Sequence, residues 1–405
     1  MQSTRFKLSA MMFLEFFIWG AWLPKIFGYL ATLKFDTFQQ GMVLNAFAVA
    51  SVAAMFFSTQ FADRNFAAEK FVAFSHLVGG LSILAMTWVT DFWPFFLLML
   101  VHSLFYVPTI SITNSIAFAN LTDPQKEFGP VRLWGTIGWI AASTPFVFIL
   151  AGDTTGEQSR YTFLVAGIAS LILAGYSLGL PHTPPKPAKE GAEQFAWLEA
   201  MKLLRVPFVL VLFVVTFIDA TVHMCYFIWT DTYLKSIGLN PELVMPAMSV
   251  GQVAEIGTMA VLGFCLKHLG WRYTMVIGIL GHALRFAVFA YFPYVWLAVA
   301  INVLHGICYA FFFATVYIFV DEFFPKDARS SAQGLFNFLI LGMGPSVASF
   351  LWPYLGNEVF KGDFKMLFVV PAAVAFGAAV VLLLLFHPPE KAAVAKEEEV
   401  PAGAV

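Results

Sequence analysis

Apolar residues in this chain come in long runs rather than in the short alternating or amphipathic stretches of soluble proteins. A helix needs roughly 20 apolar residues to cross a bilayer. Twelve runs of that order can be read, at 8–31, 40–61, 69–90, 93–119, 129–151, 160–180, 205–234, 242–266, 272–291, 293–320, 330–355 and 363–387. The pattern predicts an all-α integral membrane protein with twelve transmembrane helices. The longest polar stretch opens with Pro181-His182-Thr183-Pro184-Pro185 and divides the runs six and six. The expected organisation is an amino-terminal half at 1–180, a linker at 181–204, a carboxy-terminal half at 205–387 and a disordered tail at 388–405, where Glu397-Glu398-Glu399 lies.

Composition agrees. The 405 residues are 60% hydrophobic and 12% charged, against about 25% charged in soluble domains. A net charge of −2 leaves no basic footprint for nucleic acid. Cys225, Cys265 and Cys308 lie in apolar runs and read as small buried hydrophobes. Arg5 and Lys7 precede the first run without a small-residue cleavage site, so that run reads as a retained helix. Lysine and arginine placement sets orientation. With the amino terminus inside, sixteen of the 23 basic residues fall on inner segments. This places a multi-pass protein in the inner (plasma) membrane, with both termini and the linker cytoplasmic. Lys25 and Arg285 fall within helices, where each could snorkel outward, pair with an acid or belong to an outer gate.

Polar residues inside apolar helices are expensive and carry function by default. Arg132, Thr136 and Trp139 share one stripe at i, i+4 and i+7. Arg132 could meet a ligand oxygen, hold an inner acid such as Glu15, or snorkel to the cytoplasmic interface. Gln252 and Glu255, at i and i+3, can bond sugar hydroxyls or a base edge. The seventh run carries Asp219, His223, Tyr226 and Thr230 on one face, and the first carries Glu15, Trp19 and Trp22. A buried acid beside a histidine suits proton relay, so Glu255, Asp219 and Glu15 are the proton-coupling candidates. His102 and Tyr106, and His305, Tyr309 and Phe312, repeat the same spacing. Most rings in a chain that is 17% aromatic must face lipid or core. Trp19, Trp139 and Tyr309 share faces with polar groups and are the stacking candidates. His-Glu-x-x-His, Cys-x-x-Cys, Gly-x-Ser-x-Gly and phosphate-loop patterns are all missing, so the chain reads as no enzyme, with no cofactor or metal.

Two six-helix halves around a cytoplasmic linker is the plan of the major facilitator superfamily, which binds substrate between rocking halves. Ala62-Asp63-Arg64 with Lys70 resembles its loop between helices 2 and 3, and the basic loops Lys267–Arg272 and Lys326–Arg329 give the expected symmetry. Several strings resemble one branch, the nucleoside:proton symporter family. They are Phe16-Phe17-Ile18-Trp19-Gly20-Ala21-Trp22-Leu23, Tyr106-Val107-Pro108-Thr109 with Asn114, Arg132-Leu133-Trp134-Gly135-Thr136-Ile137-Gly138, Leu284-Arg285-Phe286-Ala287 and Arg329-Ser330-Ser331-Ala332-Gln333-Gly334.

The resemblance implies import of a nucleoside by alternating access, coupled to protons, by a monomer in the bilayer. It implies substrate contacts at Arg132, Thr136, Gln252 and Glu255, with Trp139 where the family commonly has phenylalanine. Three departures stand out. The family's glutamine and asparagine on helix 7 are replaced near Met224 and Phe227, with His223 and Tyr226 one residue away. Its acid on helix 10 falls at or near Ala310, with no carboxylate beside it. Glu15 is an extra acid on helix 1. The first departure leaves room for a sugar or similar polyhydroxylated solute, and the second for an uncoupled nucleoside facilitator. A receptor or scaffold without transport is the reading from another class, and the short loops weigh against it.

Overall fold

The computed structural model describes residues 2–54, 65–185, 202–324 and 329–388. Among the described residues there are helices and no strand. In hydrocarbon every backbone N–H and C=O must be satisfied internally, and a helix does this within one segment. The first helices are α1 (Gln2–Thr32), α2 (Thr37–Ala53), α3 (Ala68–Ala85), α4 (Phe92–Asn120), α5 (Pro124–Ala141) and α6 (Tyr161–Ser177). Beyond the linker come α7 (Pro207–Ser236), α8 (Pro241–Tyr291), α9 (Val295–Phe323), α10 (Ala332–Val359) and α11 (Phe364–Leu385). Nine helices among the described residues are long and apolar enough to cross a membrane.

Local chemistry sets several boundaries. The Asp36 carboxylate accepts from the Gln39 backbone N–H at 2.8 Å, and the Gln39 side chain accepts from the Asp36 N–H at 3.0 Å. This reciprocal cap starts α2. Asp363 caps α11 with a single bond, accepting from the Met366 N–H at 3.1 Å. α5 breaks after Ala141 and resumes as Thr144–Ile149, because Pro145 has no N–H to continue the ladder. The runs 242–266 and 272–291 meet differently from expectation. Instead of a basic loop, Gly270 alone leaves the helical conformation, at φ 72° and ψ 176°. Only glycine adopts such a backbone cheaply, so one residue suffices for the joint. Ala62-Asp63-Arg64, the end of the 40–61 run, the linker over 186–201, Lys326 and the tail from 389 lie outside the described residues.

Buried side chains form two large clusters. One draws on α1–α6 and includes Met12, Trp22, Phe95 and Phe163. The other draws on α7–α11 and includes Tyr233, Phe286, Phe312 and Trp352. Each borrows from the opposite set. Phe27 of α1 joins the second, and Met245 of α8 joins the first. The exterior is itself apolar, with Phe148 at 78% exposure and Trp296 at 71%. Such a surface suits lipid rather than water. Cys225 and Cys308 are buried and unbridged.

Inside the first cluster, α1 and α5 touch backbone to backbone. A Cβ added at Gly138 would overlap the Phe13 carbonyl oxygen. Small residues allow such approach in membrane helices. Gly138→Leu should therefore wedge the pair apart, costing about 1–3 kcal/mol or more. A lower unfolding temperature of the purified protein in detergent is the expected result. An unchanged one would show that the two helices do not meet this closely.

Candidate functional site

A cavity sits where the two clusters meet. Gly20 of α1 and Trp139 of α5 line it from one side, and Tyr226 and Phe227 of α7 with Met248 and Gln252 of α8 line it from the other. Its volume is about 10 Å³, about the room of one water. A substrate of any size can enter only if these walls part.

The walls combine rings with amides and charges. Trp139 stands edge-on to Trp19 at 5.3 Å and to Phe227 at 6.3 Å. Trp19 stacks on Phe47 at 4.9 Å, and its indole N–H is buried without an acceptor. Gln252 is buried at the cavity, and Glu255 is half-buried one turn further along α8. The Arg132 guanidinium lies 3.8 Å over the Phe16 ring, a cation–π contact. Glu255 and Tyr309 both lie within electrostatic reach of Arg132. Thr136, one turn beyond Arg132, is half-buried. Tyr309 opens a π-helical stretch at Tyr309–Ala314, a feature frequent at functional sites. The Tyr226 hydroxyl donates to the Met248 carbonyl at 3.2 Å. Trp139, Tyr226 and Gln252 thus line the cavity and Trp19 backs it. Arg132, Glu255 and Tyr309 form a charged group beside it.

Glu15 stands apart, in a closed network of the first cluster. It is fully buried. Its carboxylate accepts from the Thr109 hydroxyl at 2.8 Å and from His76 Nε2 at 2.9 Å. His76 Nδ1 meets the Ser170 hydroxyl at 3.0 Å, and the Tyr106 hydroxyl donates to the Glu15 carbonyl at 2.6 Å. Arg132 does not pair with Glu15. The acid is already satisfied, and the guanidinium rests on Phe16.

Asp219 and His223 sit one layer behind the cavity, in the second cluster. His282 Nε2 lies 3.5 Å from an Asp219 carboxylate oxygen. Arg285 is fully buried and donates to His305 Nδ1 at 2.9 Å and to His282 Nδ1 at 3.0 Å. Its guanidinium lies 4.3 Å over the Tyr226 ring. His223 stacks on His305 at 4.8 Å. Sequence reasoning gave Asp219 and His223 but not His282 or the place of Arg285. The signal was available, since histidine, like an acid, is rare inside an apolar run and marks function.

The charge on α1 also finds a partner. Lys25 meets Asp231 of α7 at 2.8 Å, with side chains 1% and 2% exposed. Lys235 reaches the other Asp231 oxygen at 2.7 Å. At the same end, Thr37 of α2 donates to Glu358 of α10 at 2.5 Å, and Asn357 donates to Gln40 at 3.3 Å. Nothing in the spacing of residues points to Asp231, whose partner is 206 positions away. Breaking a buried pair from one side strands the other charge, at about 3–5 kcal/mol. Asp231→Asn strands Lys25, whereas Lys25→Met leaves Asp231 with Lys235. Asp231→Asn should therefore lower the unfolding temperature more than Lys25→Met. The reverse order would refute this reading of the pair.

A family model described as nucleoside H+ symporter matches residues 1–391. The transporter YegT of Escherichia coli (strain K12) is 35% identical over 350 residues, 84% of this chain and 82% of YegT. Xanthosine permease of the same organism is 30% identical over 369 residues, covering 86% of this chain and 87% of the permease. The crystal structure of the nucleoside transporter NupG superposes with a TM-score of 0.83 at 26% identity, covering 95% of this chain and 99% of that one.

Proposed function

The chain belongs to the nucleoside H+ symporter family, and on that premise we propose that it imports nucleosides together with protons across the inner membrane. Twelve helices in two six-helix halves, 1–180 and 205–387, rock about the cavity between them. The linker at 181–204, the tail and both termini are cytoplasmic, and the working unit is a monomer. The observation that carries this reading is the cavity itself, walled by Trp139 from one cluster and by Tyr226 and Gln252 from the other.

The chemistry suits a nucleoside. A base is planar and stacks on rings at about 1–3 kcal/mol each, which gives Trp139, Trp19, Tyr226 and Tyr309 a use. Ribose and the base edge offer donors and acceptors to Gln252, Thr136 and the Arg132–Glu255 pair of charges, with His223 one layer behind. A site with buried polar groups rejects solutes that leave those groups unpaired. This favours the nucleoside over a sugar, which has no base to stack.

Lys25–Asp231 and Thr37–Glu358 tie α1 to α7 and α2 to α10 at the end assigned to the outside. These contacts keep the outer path shut, and the outward-open state must break them. The other end is where the walls can part at least cost.

Uptake of uridine, adenosine and xanthosine into transport-deficient cells tests the proposal. Glu255→Gln and Arg132→Ala each remove a charged hydrogen-bonding partner, worth about 1.5–3 kcal/mol or roughly 10- to 100-fold. Uptake at low substrate should fall by that factor in each variant, and a protonophore should abolish accumulation by the parent. A parent that moves no nucleoside, or variants with undiminished uptake, would sink the assignment.

A further inference from the structure

Helices α1 and α7 both carry an acid followed by rings at one spacing. Glu15, Trp19, Trp22 and Tyr29 answer to Asp219, His223, Tyr226 and Tyr233, each 204 residues further on. His76 answers to His282, and His102 and Tyr106 to His305 and Tyr309, at 203 to 206 residues. Each half of the chain thus builds an acid–histidine pocket at equivalent places.

The two pockets differ in how the acid is bonded. Around Glu15, both carboxylate oxygens and both His76 nitrogens have partners. Around Asp219, neither carboxylate oxygen has a hydrogen bond, and His223 Nδ1, His282 Nε2 and Arg285 Nε are also unmatched. Asp219, His282 and Arg285 are fully buried. A buried carboxylate without donors is far costlier than a neutral carboxyl. Arg285 donates to Nδ1 of both His282 and His305, so both imidazoles are neutral and carry their proton on Nε2. His282 therefore aims an N–H at Asp219 from 3.5 Å, just beyond hydrogen-bond length.

We propose that the Asp219–His282–Arg285–His305 cluster is the proton-carrying site of this transporter, and that Tyr226 transmits its state to the substrate cavity. This rests on the nucleoside–proton reading above. It places the coupling proton in the chain's own repeat and does not require an acid near Ala310. When the proton leaves, the Asp219 anion and the Arg285 cation remain together, and the attraction draws the guanidinium off its imidazoles. No bond in the substrate changes. Arg285 lies over Tyr226, and His305 stacks on the same ring at 4.4 Å. A shift of either moves a wall of the cavity. The other titratable groups facing the cluster are His223, Cys225 and Tyr226 on α7 and Cys308 on α9. None of these is a second carboxylate that could share the proton.

The full-length protein in proteoliposomes, with radiolabelled uridine and an inward proton gradient, tests this. The parent should accumulate uridine roughly tenfold or more, as one proton per substrate allows. Asp219→Asn should hold it near onefold while uridine counterflow continues. Accumulation like the parent's overturns the cluster and leaves the symport reading intact. A parent that exchanges uridine without responding to the gradient overturns the symport reading instead. Should Asp219→Asn fail to fold, His282→Gln takes its place with the same two expectations. A folded variant that loses counterflow along with accumulation places the cluster in substrate binding and overturns the proposal.

Discussion

Water is missing where this protein works, and that constraint orders the rest. A polar group inside the bilayer finds its partner in the protein or goes without. The backbone solves this by forming helices. The side chains solve it in three ways. Glu15 is enclosed by donors. Lys25 and Asp231 neutralise one another. Gln252, Glu255 and the group around Asp219 are left with capacity to spare. Leftover capacity in a dry interior marks the places where something else must bind.

The internal repeat makes that argument sharper than burial alone. Two pockets at matching places in the two halves can be compared side chain by side chain, and a difference between them has a local cause. Here the cause is Arg285 on α8, which engages two imidazoles in its own half. The counterpart pocket has no guanidinium, and its histidine bonds the acid directly. Arg285, together with Phe312 where the first pocket has the donor Thr109, leaves an open contact where the other half has a closed one.

Much of this was legible in the sequence, within definite limits. Runs of apolar residues gave the membrane helices because length and hydropathy are local properties. Trp139, Tyr226 and Gln252 were legible as polar or aromatic positions on apolar helices, and they do share one cavity. Three things were not legible. For Arg132 the sequence leaves open a ligand oxygen, an inner acid such as Glu15 and the interface, because its contact with Phe16 depends on helix rotation. Asp231 draws no reading, because its partner Lys25 lies on another helix. The joint at Gly270 looked like a loop because charge there, at Lys267 and Arg272, outweighs one glycine in any window of residues.

The cavity's small volume then has a physical consequence. Trp139 meets Phe227 edge-on across the interface, a contact worth about 0.5–1.5 kcal/mol beyond its area. The buried Lys25–Asp231 pair costs several times more to sever. The two ends of the interface are therefore unequal in strength. Parting the rings while the ion pair holds pivots the clusters about α1 and α7 at the Lys25 end. The cavity then widens away from that end, past Trp139 toward Arg132 and Glu255. The charged residues meet a substrate along the path that opens more easily, and the aromatic wall meets it at the closed end. For the import proposed above that path is the exit, so the solute leaves the aromatic wall before it leaves the charges.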